Sequence, residues 1–185
     1  AFFLGDATGT GVGAGMPMVA TQTELRTLLG RGVALDEAVN EANDSLVRRS
    51  DVGKFVTLVA GCWHPETRVL ELCDAGHGYI FLRADGNPAE QVRIEGSVPL
   101  GVQAQAGHRA IRLNVPAGAH LILVSDGVIE QVNAEGEQFG IARVLEVLDG
   151  ASGSAEEIGK MVEAVRAFAD GPLADDLSAA TIRLG

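Results

Sequence analysis

Phe55-Val56-Thr57-Leu58-Val59-Ala60-Gly61-Cys62-Trp63 is followed by His64-Pro65-Glu66-Thr67 and then by Val69-Leu70-Glu71-Leu72-Cys73. Two apolar, β-branched runs separated by a proline-containing turn predict a β-hairpin. The same texture continues outward. Tyr79-Ile80-Phe81-Leu82-Arg83 and Gln91-Val92-Arg93-Ile94 flank the turn Asp85-Gly86-Asn87-Pro88, while Ala110–Leu113 and His120–Val124 flank Pro116-Ala117-Gly118. On the N-terminal side the period changes. Met18, Val19, Leu25, Leu28 and Leu29 recur at helical spacing and predict a helix from Met16 to Leu29, which Gly30 and Gly32 stop. Asp36 opens a second helix whose apolar stripe is Leu35, Ala38, Val39, Ala42, Leu46 and Val47. Helical patterning returns over Ile141–Leu148 and Ala155–Ala169, and Leu177–Leu184 closes as a strand. Hairpins in the middle, helix pairs apart from them and no βαβ alternation predict an α+β protein in layers rather than a doubly wound sheet.

Length and charge narrow the reading. A chain of 185 residues is long enough to bury one sizeable core without staples. Glycine supplies 24 of them, well above the usual ~7%, with neither a collagen period nor a Gly/Ser linker to explain it. The formal net charge of −11 comes without a basic stripe, so phosphate backbones and anionic membranes are repelled and no nucleic acid or membrane partner is expected. No apolar run approaches the ~20 residues of a membrane span. Cys62 and Cys73 are too few for a disulfide framework and read as free thiols. Without a basic leader or cleavage site at Ala1–Leu4, the expected location is cytoplasmic.

Three acidic sites share a design. Asp6 follows Phe2-Phe3-Leu4-Gly5; Asp126 follows Leu121-Ile122-Leu123-Val124-Ser125 and precedes Gly127; Asp175-Asp176 precedes the terminal strand. A strand end fixes a carboxylate rigidly, and an adjacent glycine lets a ligand approach the backbone. Oxygen ligands few in number, with water completing the shell, suit a hard divalent cation. The competing reading makes each aspartate a separate turn or cap residue. Gly5-Asp6-Ala7-Thr8-Gly9-Thr10-Gly11-Val12-Gly13-Ala14-Gly15 also looks superficially like a dinucleotide loop, but it lacks both the second strand ending in an acid and the lysine of a phosphate loop. Of the histidines, His77 reads as a turn or core residue, and His64, His108 and His120 as solvated. Trp63, Met16 and Met18 read as core. Glu37, Glu41 and Asp44 form an acidic, solvent-facing helix face.

Gly5-Asp6-Ala7-Thr8-Gly9-Thr10-Gly11-Val12 resembles the Gly-Asp-Val-Ser-Gly-His-Gly segment of the metal-dependent protein serine/threonine phosphatases, in the bacterial branch typified by the sporulation stage II protein E. Asp74-Ala75-Gly76-His77, Val98-Pro99-Leu100-Gly101, Ser125-Asp126-Gly127-Val128-Ile129-Glu130 with Asn133–Gly140, and Asp175-Asp176-Leu177-Ser178 are similar to four further segments of that family, in order. The resemblance implies a four-layer α-β-β-α sandwich with two antiparallel sheets, and hydrolysis of phosphoserine or phosphothreonine with two manganese or magnesium ions. It places Asp6 as the bridging carboxylate, the carbonyl of Ala7 as a backbone ligand, and Asp126 and Asp175 as the remaining metal ligands, with Asp176 behind them. A phosphorylated anti-sigma-factor antagonist is the implied substrate, and an upstream sensor or regulatory domain the implied neighbour.

Two departures bear on activity. The family's earlier acid, in a Gly-Gly-Asp segment two strands upstream, would fall ahead of Ala1, so residues 1–185 are expected to be a single domain lacking the family's first strands, with a weakened second metal site. Thr10 stands where many relatives carry histidine. The rival expectation is a partner-binding module of the same fold in which the metal chemistry has weakened. No Cys-His or Ser-His-Asp signature suggests a protein nucleophile.

Overall fold

A computed structural model describes residues 1–9, 12–49, 54–84, 86–95, 98–151 and 153–185. In chain order its elements are β1 (Phe2–Ala7), α1 (Val12–Gly30), α2 (Leu35–Arg49), β2 (Val56–His64), β3 (Val69–Ala75), β4 (Ile80–Arg83), β5 (Glu90–Val92), β6 (Ala110–Asn114), β7 (His120–Val124), α3 (Asp126–Ile129), α4 (Gly140–Asp149), α5 (Ser154–Phe168) and β8 (Ala179–Arg183). The class is α+β with two antiparallel sheets, as the hairpin texture predicts. No described helix is long and apolar enough to cross a membrane. The chain forms two compact units, one from residues 1–78 and 94–114, the other from 79–93 and 115–185.

In the first unit the sheet order is β1-β2-β3-β6. The β2–β3 hairpin pairs Val59 with Asp74 through His64 with Val69, and β1 lies on its other edge with Asp6 opposite Thr57 and Ala7 opposite Val56. Strand β1 therefore runs through Gly5 and Asp6, where the sequence suggested that it stops. The α1–α2 pair covers this sheet. Leu25, Leu28, Leu35, Ala38, Val39, Ala42 and Leu46 pack with Val56, Leu58, Ala60 and Cys73 in one apolar cluster, in which each buried leucine or valine stabilises by about 1.5–3 kcal/mol. Burial first, then the charges of Asp36 and Asp74, push the Cys73 thiol up to about 12. Both cysteines are free thiols.

Helix α1 begins four residues earlier than the apolar pattern indicates. Gly13, Gly15 and Pro17 disguise its first turns as a loop. Pro17 has no N–H to offer the carbonyl of Gly13, and Lys54 Nζ donates to that carbonyl instead, at 3.4 Å. Met16 is 68% exposed and not core; the buried cluster residues of α1 are Leu25 and Leu28, Met18 is half-buried against the same cluster, and Trp63 is also half-buried.

The second unit has sheet order β5-β4-β7-β8. Phe81, Ile122 and Val124 from the strands pack with Val144 and Leu148 of α4 and Met161 and Val165 of α5. Beside this core lies a buried polar knot. Glu157 on α5 is fully buried; Arg83 Nε donates to it at 3.0 Å, Thr181 Oγ1 at 2.7 Å, and His120 Nδ1 lies 2.7 Å away. Burial alone would raise the Glu157 carboxyl, but hydrogen bonds from Thr181, His120 and Arg83 more than offset it and hold it below the usual range.

Two histidines expected in solvent are thus buried. His120 is drawn in by Glu157. His108 is 6% exposed, its backbone held both ways by the Asn40 carboxamide at 2.8 and 2.9 Å, and burial lowers its imidazole.

Candidate metal centre

Strand β7 delivers the chain to Ser125 in an extended conformation (φ −76°, ψ 167°), and α3 starts at Asp126. The aspartate Oδ1 accepts the N–H of Gly127 at 2.8 Å, which sets the side chain at the start of the turn. The 174–178 loop is laced to this turn. Ser125 N–H donates to Ser178 O at 2.8 Å, Ser178 N–H donates to Ser125 Oγ at 3.0 Å, and Ser125 Oγ donates to Asp176 O at 3.3 Å. Gly127 is required here, because a Cβ at that position would collide with the Asp176 carbonyl.

The result is a small cleft of about 170 Å³ lined by Asp126, Gly127, Glu130, Gln131, Ala174 and Asp175. Two of the aspartates singled out in the sequence, distant along the chain, are neighbours in it. Burial first, then the charges of Glu130 and Asp126, raise the phenol of Tyr79. A donor set of carboxylates without thiol or imidazole suits a hard cation such as Mg2+ or Mn2+, and Asp126 with Asp175 are the residues of this cleft that would hold one. Among the described residues, no three His, Cys, Asp or Glu side chains form a group able to hold a metal ion.

Asp6 and Ala7 belong to the first unit. Asp6 is exposed near the end of β1. Thr8 pins the segment that follows: its N–H and Oγ1 donate to Phe55 O at 3.1 and 3.2 Å, and Phe55 N–H donates back to Oγ1 at 3.1 Å. Thr10 and Gly11 lie outside the described residues. Gly13 and Gly15 are helical rather than part of a phosphate-cradling loop. The Asp74–His77 segment is the end of β3 and the residues just after it, and Asp74 Oδ1 accepts the N–H groups of His77 and Gly78 at 2.9 and 3.1 Å. Gly76 there has φ +76°, and a Cβ on it would sit 2.7 Å from Pro99. Leu100 exchanges backbone bonds with Val56 at 2.8 and 2.9 Å. Gly101 N–H donates to Asn43 Oδ1 at 3.0 Å. These two motifs therefore frame the unit that carries Asp6. Asp176 lies on the same loop as Asp175, with its N–H on Asp175 Oδ1 at 2.8 Å.

Two polar lining residues, Glu130 and Gln131, are not among the candidate ligands read from sequence. Glu130 stands four residues after Asp126, a spacing that puts both on one helical face and could have flagged it. Gln131 gave no such signal.

A family model described as Stage II sporulation protein E matches residues 1–185. The RsbU and RsbW domains of a Mycobacterium tuberculosis protein are similar at 23% identity and a TM-score of 0.79, over 98% of this chain and 50% of that one. The PP2C phosphatase domain of Bacillus subtilis SpoIIE, with a fragment of its regulatory domain, is similar at 18% identity and a TM-score of 0.80, over 98% of this chain and 53% of that one. RsbX, solved in complex with magnesium, is similar at 14% identity and a TM-score of 0.69, over 99% of this chain and 80% of that one. The chain thus spans about half the length of the first two structures. At such identities the likeness shows a shared fold.

Proposed function

The chain belongs to the Stage II sporulation protein E family, and on that premise we propose that residues 1–185 are a metal-dependent protein serine/threonine phosphatase domain. The observation that carries the reading is the cleft in which Asp126 and Asp175 meet. When bound, a pair of Mn2+ or Mg2+ ions lowers the pKa of a water and neutralises phosphoryl oxygens during in-line displacement. Asp126 and Asp175 would hold and orient the cation, with Ser125 tying the 174–178 loop to the start of α3. Asp6 and the carbonyl of Ala7 are further metal ligands in this reading, on the resemblance of the Gly5–Val12 segment to the family's motif. The substrate is a phosphorylated serine or threonine on a protein partner, an anti-sigma-factor antagonist in a partner-switching pathway, and a sensor or regulatory domain directs the activity in the cytoplasm. The RsbU and RsbW domains of the similar structure and the magnesium of RsbX support this reading.

Turnover of p-nitrophenyl phosphate and a phosphoserine peptide, measured with and without Mn2+, tests it. Activity should require the metal and fall to the metal-free background in Asp126→Asn and Asp175→Asn. A second reading, a partner-binding module of the same fold with weakened catalysis, is favoured by Thr10, which stands where many relatives of the resembled family carry histidine. Absent turnover by the full-length protein would favour it, and metal-independent turnover would overturn the metal-dependent reading.

A further inference from the structure

Asp175 sits in a loop, and a loop carboxylate is a poor ligand unless something holds its backbone still, because ligand geometry is set by the groups behind the ligands. The atoms that hold this loop come from both sides. On one side Ser125 takes Asp176 O and Ser178 N–H through its Oγ. On the other, Gln131 Oε1 accepts the N–H of Ala174 at 3.0 Å.

The Gln131 side chain is well placed for this. It is 3% exposed. Its Nε2 donates to Val132 O at 2.9 Å, which leaves Oε1 to face Ala174. Its own carbonyl accepts Phe139 N–H at 2.8 Å, so the glutamine backbone is anchored as well. The contact joins residues 43 apart in sequence and links the segment just after α3 to the residue just before Asp175. An amide oxygen does this without adding a charge to a cleft already bearing Asp126, Glu130 and Asp175.

We propose that Gln131 is a positioning residue: with Ser125 it forms a two-point clamp that fixes Asp175 against Asp126 and so sets the affinity of the cleft for a divalent cation. This rests on the reading of Asp126 and Asp175 as metal ligands.

Calorimetric titration of Mn2+ into the full-length wild-type protein, Gln131→Leu and Asp126→Asn, together with hydrogen exchange of residues 174–178 in metal-free protein, tests it. Leucine keeps the volume and removes the acceptor. Gln131→Leu should raise the Mn2+ Kd by about 10-fold or more and speed exchange in 174–178, with protection in α2 unchanged. An unchanged Kd overturns the clamp, even if the loop exchanges faster, since the bond would then serve only the fold. If Asp126→Asn weakens Mn2+ binding while Gln131→Leu does not, the positioning role alone falls. If Asp126→Asn binds Mn2+ as wild type does, or wild type binds none, the metal-centre reading falls and takes the clamp with it. Should the leucine variant fail to fold, Ser125→Ala loosens the same loop from its other side and is read by the same two measurements, with the same results overturning the clamp.

Discussion

At Gly127 two preferences conflict. The residue is helical, where alanine is favoured over glycine by about 1 kcal/mol, yet its missing side chain is what lets the Asp176 carbonyl pass. A backbone atom cannot rotate aside as a side chain can, so the clash wins. Gly127→Ala should destabilise by about 1–3 kcal/mol, read as a lower urea midpoint, and a stabilised variant would mean that the 174–178 loop does not lie against α3. The second residue-scale case is Glu157. Removing its carboxylate as Glu157→Ala strands Arg83 and His120, whose side chains are 15% and 8% exposed, and should cost about 3–5 kcal/mol. Its carboxyl is held below the ordinary value of 4.5. The unfolded state therefore takes up the proton first as pH falls, and the stabilisation is complete above about 4.5 and lost below it as pH falls through the folded-state value. Urea midpoints measured from pH 7 down to pH 3 should fall less steeply in Glu157→Gln than in wild type; equal slopes would remove Glu157 from the acid response.

Among the elements, α2 and the β2–β3 hairpin were legible from sequence and the start of α1 was not. The α2 stripe works because Leu35, Ala38, Val39, Ala42 and Leu46 all face the same buried cluster, so spacing alone revealed the face. The hairpin is carried by two short apolar runs, residues 58–61 being buried on both faces, and by its turn residues. Helix α1 hides its first turns behind glycines and a proline, and what compensates for Pro17 comes from Lys54, far along the chain. The buried histidines escaped for the same reason: Glu157 is 37 residues from His120, and the His108 carbonyl meets an amide 68 residues away. Local pattern reports what a segment can form, not which distant polar group will receive it. The uneven burial along α1 has a measurable consequence. Leu25 is fully buried and Met16 is 68% exposed, so Leu25→Ala should cost about 2–5 kcal/mol, whereas Met16→Ser should stay within about 0.5 kcal/mol of wild type. Thermal unfolding of the two variants checks the pair, and equal losses would place Met16 in the core.

For the molecule as a whole, the carboxylate pattern was legible at Asp126 and Asp175 because both lie beside strand ends joined in one sheet: Val124 pairs with Ala179, which draws the residues just before and after these strands together. Gln131 was not legible, since an amide that binds a backbone N–H leaves no periodicity or spacing to find. Net charge is the molecular property with the clearest consequence for a phosphoprotein substrate. At a formal −11, the chain and an anionic phosphorylated partner repel each other before any contact forms, and the repulsion acts on encounter rather than on the bound complex. Salt screens it: the Debye length shrinks from about 30 Å at 0.01 M to about 8 Å at 0.15 M. Raising ionic strength over that range should increase kcat/KM for an acidic phosphoprotein and leave kcat nearly unchanged, because screening acts on the approach of the two chains and kcat is read after they have met. A small ester such as p-nitrophenyl phosphate, carrying little charge to steer, should respond much less. A fall in kcat/KM for the protein substrate with added salt would contradict the prediction and show attraction instead, with positive groups on the partner drawn to this acidic surface before its phosphate reaches the cleft.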